Sequence, residues 1–183
     1  MDRVNVRSDE ELMLAAGEGD LAAFGQLVLR YQNGAWRVAY RFTGDATEAE
    51  DLAQEAFLRI IDAAPRYRPT ATFRTYFYRV LTRLCLDHRR KKRPVLADRF
   101  PTTEDRSPSP SQQASRAERD SAIQVALAAL PARQRTATIL RYFEGLSGSE
   151  TAEALDVSPK AVERLLARAR ETLADHLKDL VQE

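Results

Sequence analysis

The stretch AEDLAQEAFLRIID, residues 49–62, places Asp51, Gln54, Glu55 and Leu58 at helical spacing. At 100° per residue, Ala53, Ala56, Phe57 and Ile60 share one core-seeking face, and Asp51, Glu55 and Asp62 lie opposite with Gln54 and Leu58 beside them. An acidic face is ordinary on a solvated helix. Carboxylates and an amide grouped around one leucine describe a docking surface instead, suited to a basic partner with an apolar stripe.

A second set follows in RYRPTATFRTYFYRVLTRLCLDHRRKKR, residues 66–93, where arginine alternates with tyrosine and phenylalanine. On a helix, Phe73, Phe77, Val80, Leu81 and Leu84 face inward, and Tyr76, Arg79, Arg83 and Arg90 form a stripe on another face. Cations follow phosphates and exposed rings stack on unpaired bases, so this composition suits single-stranded nucleic acid. The phenylalanines fit the core, which leaves Tyr67 and Tyr76 as stacking candidates, with Arg68, Arg74 and Lys91 among the phosphate candidates. The run from Arg89 to Arg93 reads either as a solvated tail or as a phosphate contact, and its place at the end of a structured helix favours the contact.

The third set lies in GLSGSETAEALDVSPKAVERLLARARETL, residues 145–173. Two helices joined by the short turn LDVS, with small Ala152 at the crossing and Val157 and Val162 at the joint, have the layout of a helix-turn-helix. In the second helix Val162, Leu165, Leu166, Ala169 and Leu173 share a face; Ser158, Lys160, Glu163, Arg164 and Arg168 are left to meet a major groove, with Arg135 as a further DNA candidate upstream. A helical hairpin with a solvated charged face would show the same pattern. Catalytic chemistry has no such support. His88 and His176 stand alone, no metal-ligand spacing or phosphate-binding glycine loop occurs, and no catalytic, metal or cofactor residue is assigned.

The elements that must position these groups are helices throughout. Ser8 followed by Glu11 makes a capping pattern, Asp20 and Gly44 bracket one or two helices, Pro65 and Pro94 end the next two, and Ser147 with Glu150 opens the helix-turn-helix. Residues 101–116, PTTEDRSPSPSQQASR, bury almost nothing and read as a flexible tether, an ordered surface loop being the alternative. The expected fold is all-α: a helical bundle over 1–94, a flexible linker over 95–118 and a helix-turn-helix domain over 119–183. Because the tether permits many arrangements, the sequence leaves open how the two domains sit relative to one another.

Composition agrees with an anionic partner. The net charge of +1 conceals 5 Lys/Arg against 11 Asp/Glu in residues 1–57, and 12 against 3 in residues 58–99. Cys85 is the only cysteine, which excludes disulfide scaffolds and cysteine-rich zinc sites and makes a reducing cytoplasm the default. No apolar run reaches the length of a membrane span.

In this order, FGQLVLRY, GDATEAEDLAQEAFLRII, the basic aromatic segment, ALAALPARQRTATILRYFEGLS and VSPKAVERLLARARETL resemble the bacterial extracytoplasmic-function (ECF) sigma factors of the sigma-70 superfamily. The resemblance implies a non-enzymatic promoter-specificity subunit. Asp51, Gln54, Glu55 and Leu58 would dock on core RNA polymerase, and the loop from Pro65 to Thr72 with the following helix would open the −10 element and hold an extruded base. The helix-turn-helix would read the −35 duplex, and an anti-sigma factor would be a further partner. Four positions depart from the pattern: Arg83 where Asn is common, Glu163 and Leu165 where Lys and Arg are common, and Asp156 in place of a frequent turn glycine. Two other readings compete. A stand-alone helix-turn-helix regulator explains residues 120–178 alone, and an enzyme acting on nucleic acid needs clustered carboxylates that are absent.

Overall fold

The computed structural model describes residues 7–92 and 111–181. Among the described residues every regular element is helical. The N-terminal half holds α1 (Asp9–Gly17), α2 (Leu21–Thr43), α3 (Ala46–Ala63), a 3₁₀ turn (Ala64–Arg66) and α4 (Phe73–Lys92). The C-terminal half holds α5 (Ser111–Ala129), α6 (Ala132–Thr138), a π-helical turn (Ile139–Phe143), α7 (Gly148–Leu155) and α8 (Pro159–Val181).

Local chemistry sets most of the boundaries. At α1, the Ser8 hydroxyl accepts the Glu11 N–H at 3.1 Å while the Glu11 carboxylate accepts the Ser8 N–H at 2.7 Å. Ser147 and Glu150 repeat the arrangement at α7. Asp20 caps α2 through the Ala23 N–H, and Gly44 ends it with a left-handed φ of 78°, so the segment between them is a single helix of 23 residues. Glu10 reaches from α1 to accept the Phe73 N–H at 2.6 Å, and the Thr72 hydroxyl accepts the Thr75 N–H, which ties the start of α4 to α1.

The N-terminal core gathers Leu12, Leu27, Phe42, Ile60, Phe73, Phe77 and Leu81, all essentially inaccessible to solvent. Phe77 is its hub, with ring centroids of Tyr31 at 4.9 Å and Phe57 at 5.3 Å. In the C-terminal half Leu130, Ile139, Leu140, Leu146 and Val162 are buried together.

One feature differs from the sequence expectation. Helix α5 begins at Ser111, inside the segment assigned to the linker; Gln112, Gln113, Ala114, Arg116 and Ala117 are good helix formers that simply extend the amphipathic stretch after them. Residues 95–110 of that linker lie outside the described residues. The placement of the two halves, open from the sequence, is a packed one, with α7 lying along α4 and one hydrophobic core running through both. A tether allows many placements, but it does not forbid one that buries apolar surface.

Gly17 packs against the 3₁₀ turn so closely that a Cβ there would sit 2.5 Å from the Ala64 carbonyl oxygen, whereas a Cβ at Gly25 would meet nothing within 4 Å. Gly17→Ala should therefore lower the melting temperature. Gly25→Ala, in a helix interior, should raise it through an expected gain of up to about 1 kcal/mol. Thermal unfolding followed by circular dichroism compares the two directly.

Candidate nucleic-acid interface

Three surfaces carry the groups singled out in the sequence. On α3, Ala49, Ala53, Ala56 and Ile60 are buried, along with Leu52. Asp51, Gln54 and Leu58 are exposed, Leu58 by 59% of its surface, and Glu55 is half-buried. Glu55 accepts from Arg59 Nε at 2.8 Å and Gln54 donates to Glu50 at 3.1 Å, so both are steadied by neighbours one turn away. The other end of the helix is fixed from α4, where His88 Nε2 lies 2.8 Å from a Glu48 carboxylate oxygen. The result is a rigid acidic face with a leucine standing out of it.

The second surface is a cleft of about 270 Å³ at the start of α4, lined by Arg66, Tyr67, Arg68, Thr70, Tyr76 and Arg79 among others. Two prolines, Pro65 and Pro69, bound the loop that shapes it. Arg68 donates to the Tyr67 carbonyl at 2.9 Å, and the Arg79 guanidinium lies over the Tyr76 ring at 5.7 Å from the centroid. Tyr76 is half-buried, and burial pushes its phenol above the ordinary value against the pull of Arg79. Tyr67 corrects the sequence reading. It is only 5% exposed, with its ring packed on Tyr76 at 5.3 Å and Phe73 at 6.3 Å, so it is a wall and not a free stacking platform. Its hydroxyl is buried without a hydrogen-bond partner, and desolvation, followed by nearby Glu10, pushes its phenol up to about 12.

Beyond the cleft, Arg79, Arg83, Arg90 and Lys91 are exposed along α4, while Phe73, Phe77, Leu81 and Leu84 are buried and Val80 is partly so. Arg74 departs from this stripe. It is half-buried and donates to the Glu144 carbonyl from the other half of the molecule. Arg66 and Thr70 line the cleft without having been singled out individually; their place in the Pro65 to Thr72 loop is the signal that could have found them.

The third surface is the helix-turn-helix. Asp156 ends α7 in the left-handed region at φ 53°, donating its N–H to Ala152 and Glu153 carbonyls, a conformation that Asp tolerates better than most residues. Ser158 Oγ then accepts the Ala161 N–H at 3.2 Å and starts α8. Val162, Leu166 and Ala169 are buried and Leu165 and Leu173 partly so, which leaves Ser158, Lys160, Glu163, Arg164 and Arg168 exposed together. Arg135 again corrects the sequence reading. It is 2% exposed, its guanidinium donating to the Phe42 carbonyl at 2.6 Å and the Ala128 carbonyl at 2.6 Å, because the packed halves close over it. Desolvation lowers its pKa to about 10, so it stays charged at neutral pH.

No group of three or more potential metal ligands occurs among the described residues. No helix among them is long and apolar enough to cross a membrane.

Comparison with known proteins places these surfaces in context. Residues 27–95 match the profile of sigma-70 region 2, and residues 120–173 that of sigma-70 region 4. The chain is 33% identical to the RNA polymerase sigma-H factor of Pseudomonas aeruginosa, covering 96% of each chain. It is 32% identical to the ECF RNA polymerase sigma factor SigW of Bacillus subtilis, covering 89% of this chain and 93% of that one. Among solved structures it resembles CnrH in complex with the cytosolic domain of CnrY, with a TM-score of 0.74, 27% identity, and 94% and 99% of the two chains covered.

Cys85 is buried on the inner face of α4, and desolvation pushes its thiol from an ordinary 9.0 up to about 12. At pH 8 the native protein should leave a thiol reagent unreacted, and denaturant should release one fast-reacting thiol. A raised acid contributes stability fully below its unfolded value and loses it as pH climbs toward the folded one, so Cys85 favours the fold up to about pH 9 and progressively less toward about 12.

Proposed function

Since the chain belongs to the ECF sigma factors of the sigma-70 family, we propose that it binds core RNA polymerase through α3 and positions two DNA-reading surfaces on a promoter. The observation that carries the docking assignment is the face of α3, where Asp51, Gln54, Glu55 and Leu58 are brought together in one register with Leu58 unsheltered. A basic partner helix with an apolar stripe would bury that leucine and meet the carboxylates at once.

The cleft at the start of α4 would hold one extruded base of the −10 element. Extrusion costs a few kcal/mol of unstacking, which the walls of Tyr67 and Tyr76 and the cations Arg66, Arg68 and Arg79 would offset. Arg83, Arg90 and Lys91 would follow the phosphates of the opened strand.

Ser158, Lys160, Glu163, Arg164 and Arg168 would face the −35 duplex, with Glu163 placed to accept from a cytosine amino group. These are binding roles; initiation chemistry belongs to the polymerase, and the protein acts in the cytoplasm. An anti-sigma factor is a further proposed partner. It is supported by the similar protein CnrH, whose solved structure holds the cytosolic domain of CnrY.

Asp51→Arg or Glu55→Arg should abolish binding to purified core RNA polymerase while leaving helicity unchanged. Unchanged affinity in a folded variant refutes the docking face. Arg164→Ala should weaken −35 duplex binding by about 1–3 kcal/mol in a sequence-dependent way; equal weakening on all sequences would make Arg164 a phosphate contact.

A further inference from the structure

Helix α1 carries three acidic residues in its first turn, and each has a different partner. Glu11 closes the capping box with the Ser8 N–H at 2.7 Å. Asp9 accepts from the Arg30 guanidinium and the Tyr31 hydroxyl, both on α2 and both at 2.5 Å. Glu10 turns instead toward α4, where it accepts the Phe73 N–H at 2.6 Å. Asp9 thus fixes α1 to the bundle, and Glu10 works from a fixed base.

A second anchor lies seven residues further on, at Gly17. Seven residues are two helical turns, so Gly17 shares a face with Glu10 at a separation of about 10 Å. A Cβ at Gly17 would sit 2.5 Å from the Ala64 carbonyl oxygen, and that same oxygen accepts the Tyr67 N–H at 3.1 Å. Gly17 therefore grips the start of the 65–72 segment and Glu10 grips its end. The nine steps of chain from Ala64 to Phe73 could reach about 30 Å if extended. Held between anchors about 10 Å apart, they must arch. Inside the arch the Thr70 N–H donates to the Arg68 carbonyl at 2.8 Å. The arch supplies Arg66, Tyr67, Arg68 and Thr70 to the cleft described above.

A carboxylate is a poor neighbour for a cleft that is to meet phosphates. Glu10 lies near enough to Tyr67 to add to the desolvation that raises its phenol. Its value there is geometric: it satisfies an orphan N–H at the start of α4, where negative charge also suits the helix dipole.

We propose that α1 is the gauge of this cleft, with Glu10 and Gly17 as positioning residues that set the span of the 65–72 arch and hence its fit to an extruded base. This rests on the proposed holding of a base there; neither residue touches DNA. The grip governs base capture and leaves the α3 docking face and the helix-turn-helix unaffected.

The test uses the full chain with core RNA polymerase, on a promoter fragment selected by the parent holoenzyme from a randomised duplex pool. A fluorescent adenine analogue in the −10 element reports unstacking. Glu10→Ala should slow opening about fivefold, which is what the loss of about 1 kcal/mol of helix capping is worth. Affinity for polymerase, affinity for the unopened fragment and helicity should match the parent. Glu10→Gln keeps the acceptor oxygen without the charge and should open at the parent's rate. Gly17→Ala, studied well below its melting temperature, should slow opening as Glu10→Ala does. Unchanged opening in folded Glu10→Ala overturns the gauge, as does a Glu10→Gln variant as slow as Glu10→Ala, or an equal loss of affinity for the unopened fragment. A parent that binds no polymerase strikes the sigma reading, and base capture falls with it. Amide hydrogen exchange at Phe73 in the free protein then decides the grip: faster exchange in Glu10→Ala alone upholds it, and equal exchange in all three proteins overturns it.

Discussion

Helix α4 must bury an aromatic face and present a cationic one, and the rest of the molecule is arranged around that double demand. Its buried side supplies Phe73, Phe77, Leu81 and Leu84 to the N-terminal core. Its outer side holds Arg79, Arg83, Arg90 and Lys91 in water. Such closely spaced cations repel one another, and a helix carrying them keeps its place only through the apolar contacts on the other side. The aromatic hub at Phe77 and the Glu10 cap on the Phe73 amide are therefore what permit a DNA-facing stripe to exist.

A third side of α4, marked by Arg74, Tyr78 and Thr82, belongs to the seam with the C-terminal half. Its polar side chains reach backbone carbonyls and one carboxylate, beside the hydrophobic core that runs through both halves. The polar part of that contact fixes geometry at little net cost, because each of those groups can be satisfied by water when released. The seam and the DNA surfaces thus draw on the same helix without drawing on the same residues, Arg74 excepted.

Much of this was legible in the sequence wherever the deciding chemistry is local. The capping boxes at Ser8 and Ser147, the left-handed stops at Gly44 and Asp156, and the exposed register of α3 all follow from residues within one or two turns. Arg135 and Tyr67 were misread for the opposite reason. Arg135 finds its acceptor at Phe42, 93 positions away, and the wall that covers Tyr67 comes from Phe73 and Tyr76 folding back across the loop. No periodicity carries that information; a cation and a phenol look equally ready for nucleic acid until tertiary packing closes over them. The start of α5 is not legible from composition, because polar residues suit a tether and a helix alike, and glutamine, alanine and arginine are competent helix formers.

The π-helical turn from Ile139 to Phe143 works as a phase shifter. An α-helix advances by about 100° per residue, and a π turn accommodates one extra residue before the next alignment. That extra residue decides the direction in which Glu144 leaves the helix, and hence whether it points at Tyr78 or away into solvent. Deleting one position from this turn would alter no chemistry on either surface, yet it would rotate the carboxylate out of mesh. In this architecture the coupling between the two halves can be gained or lost by a change in chain length alone.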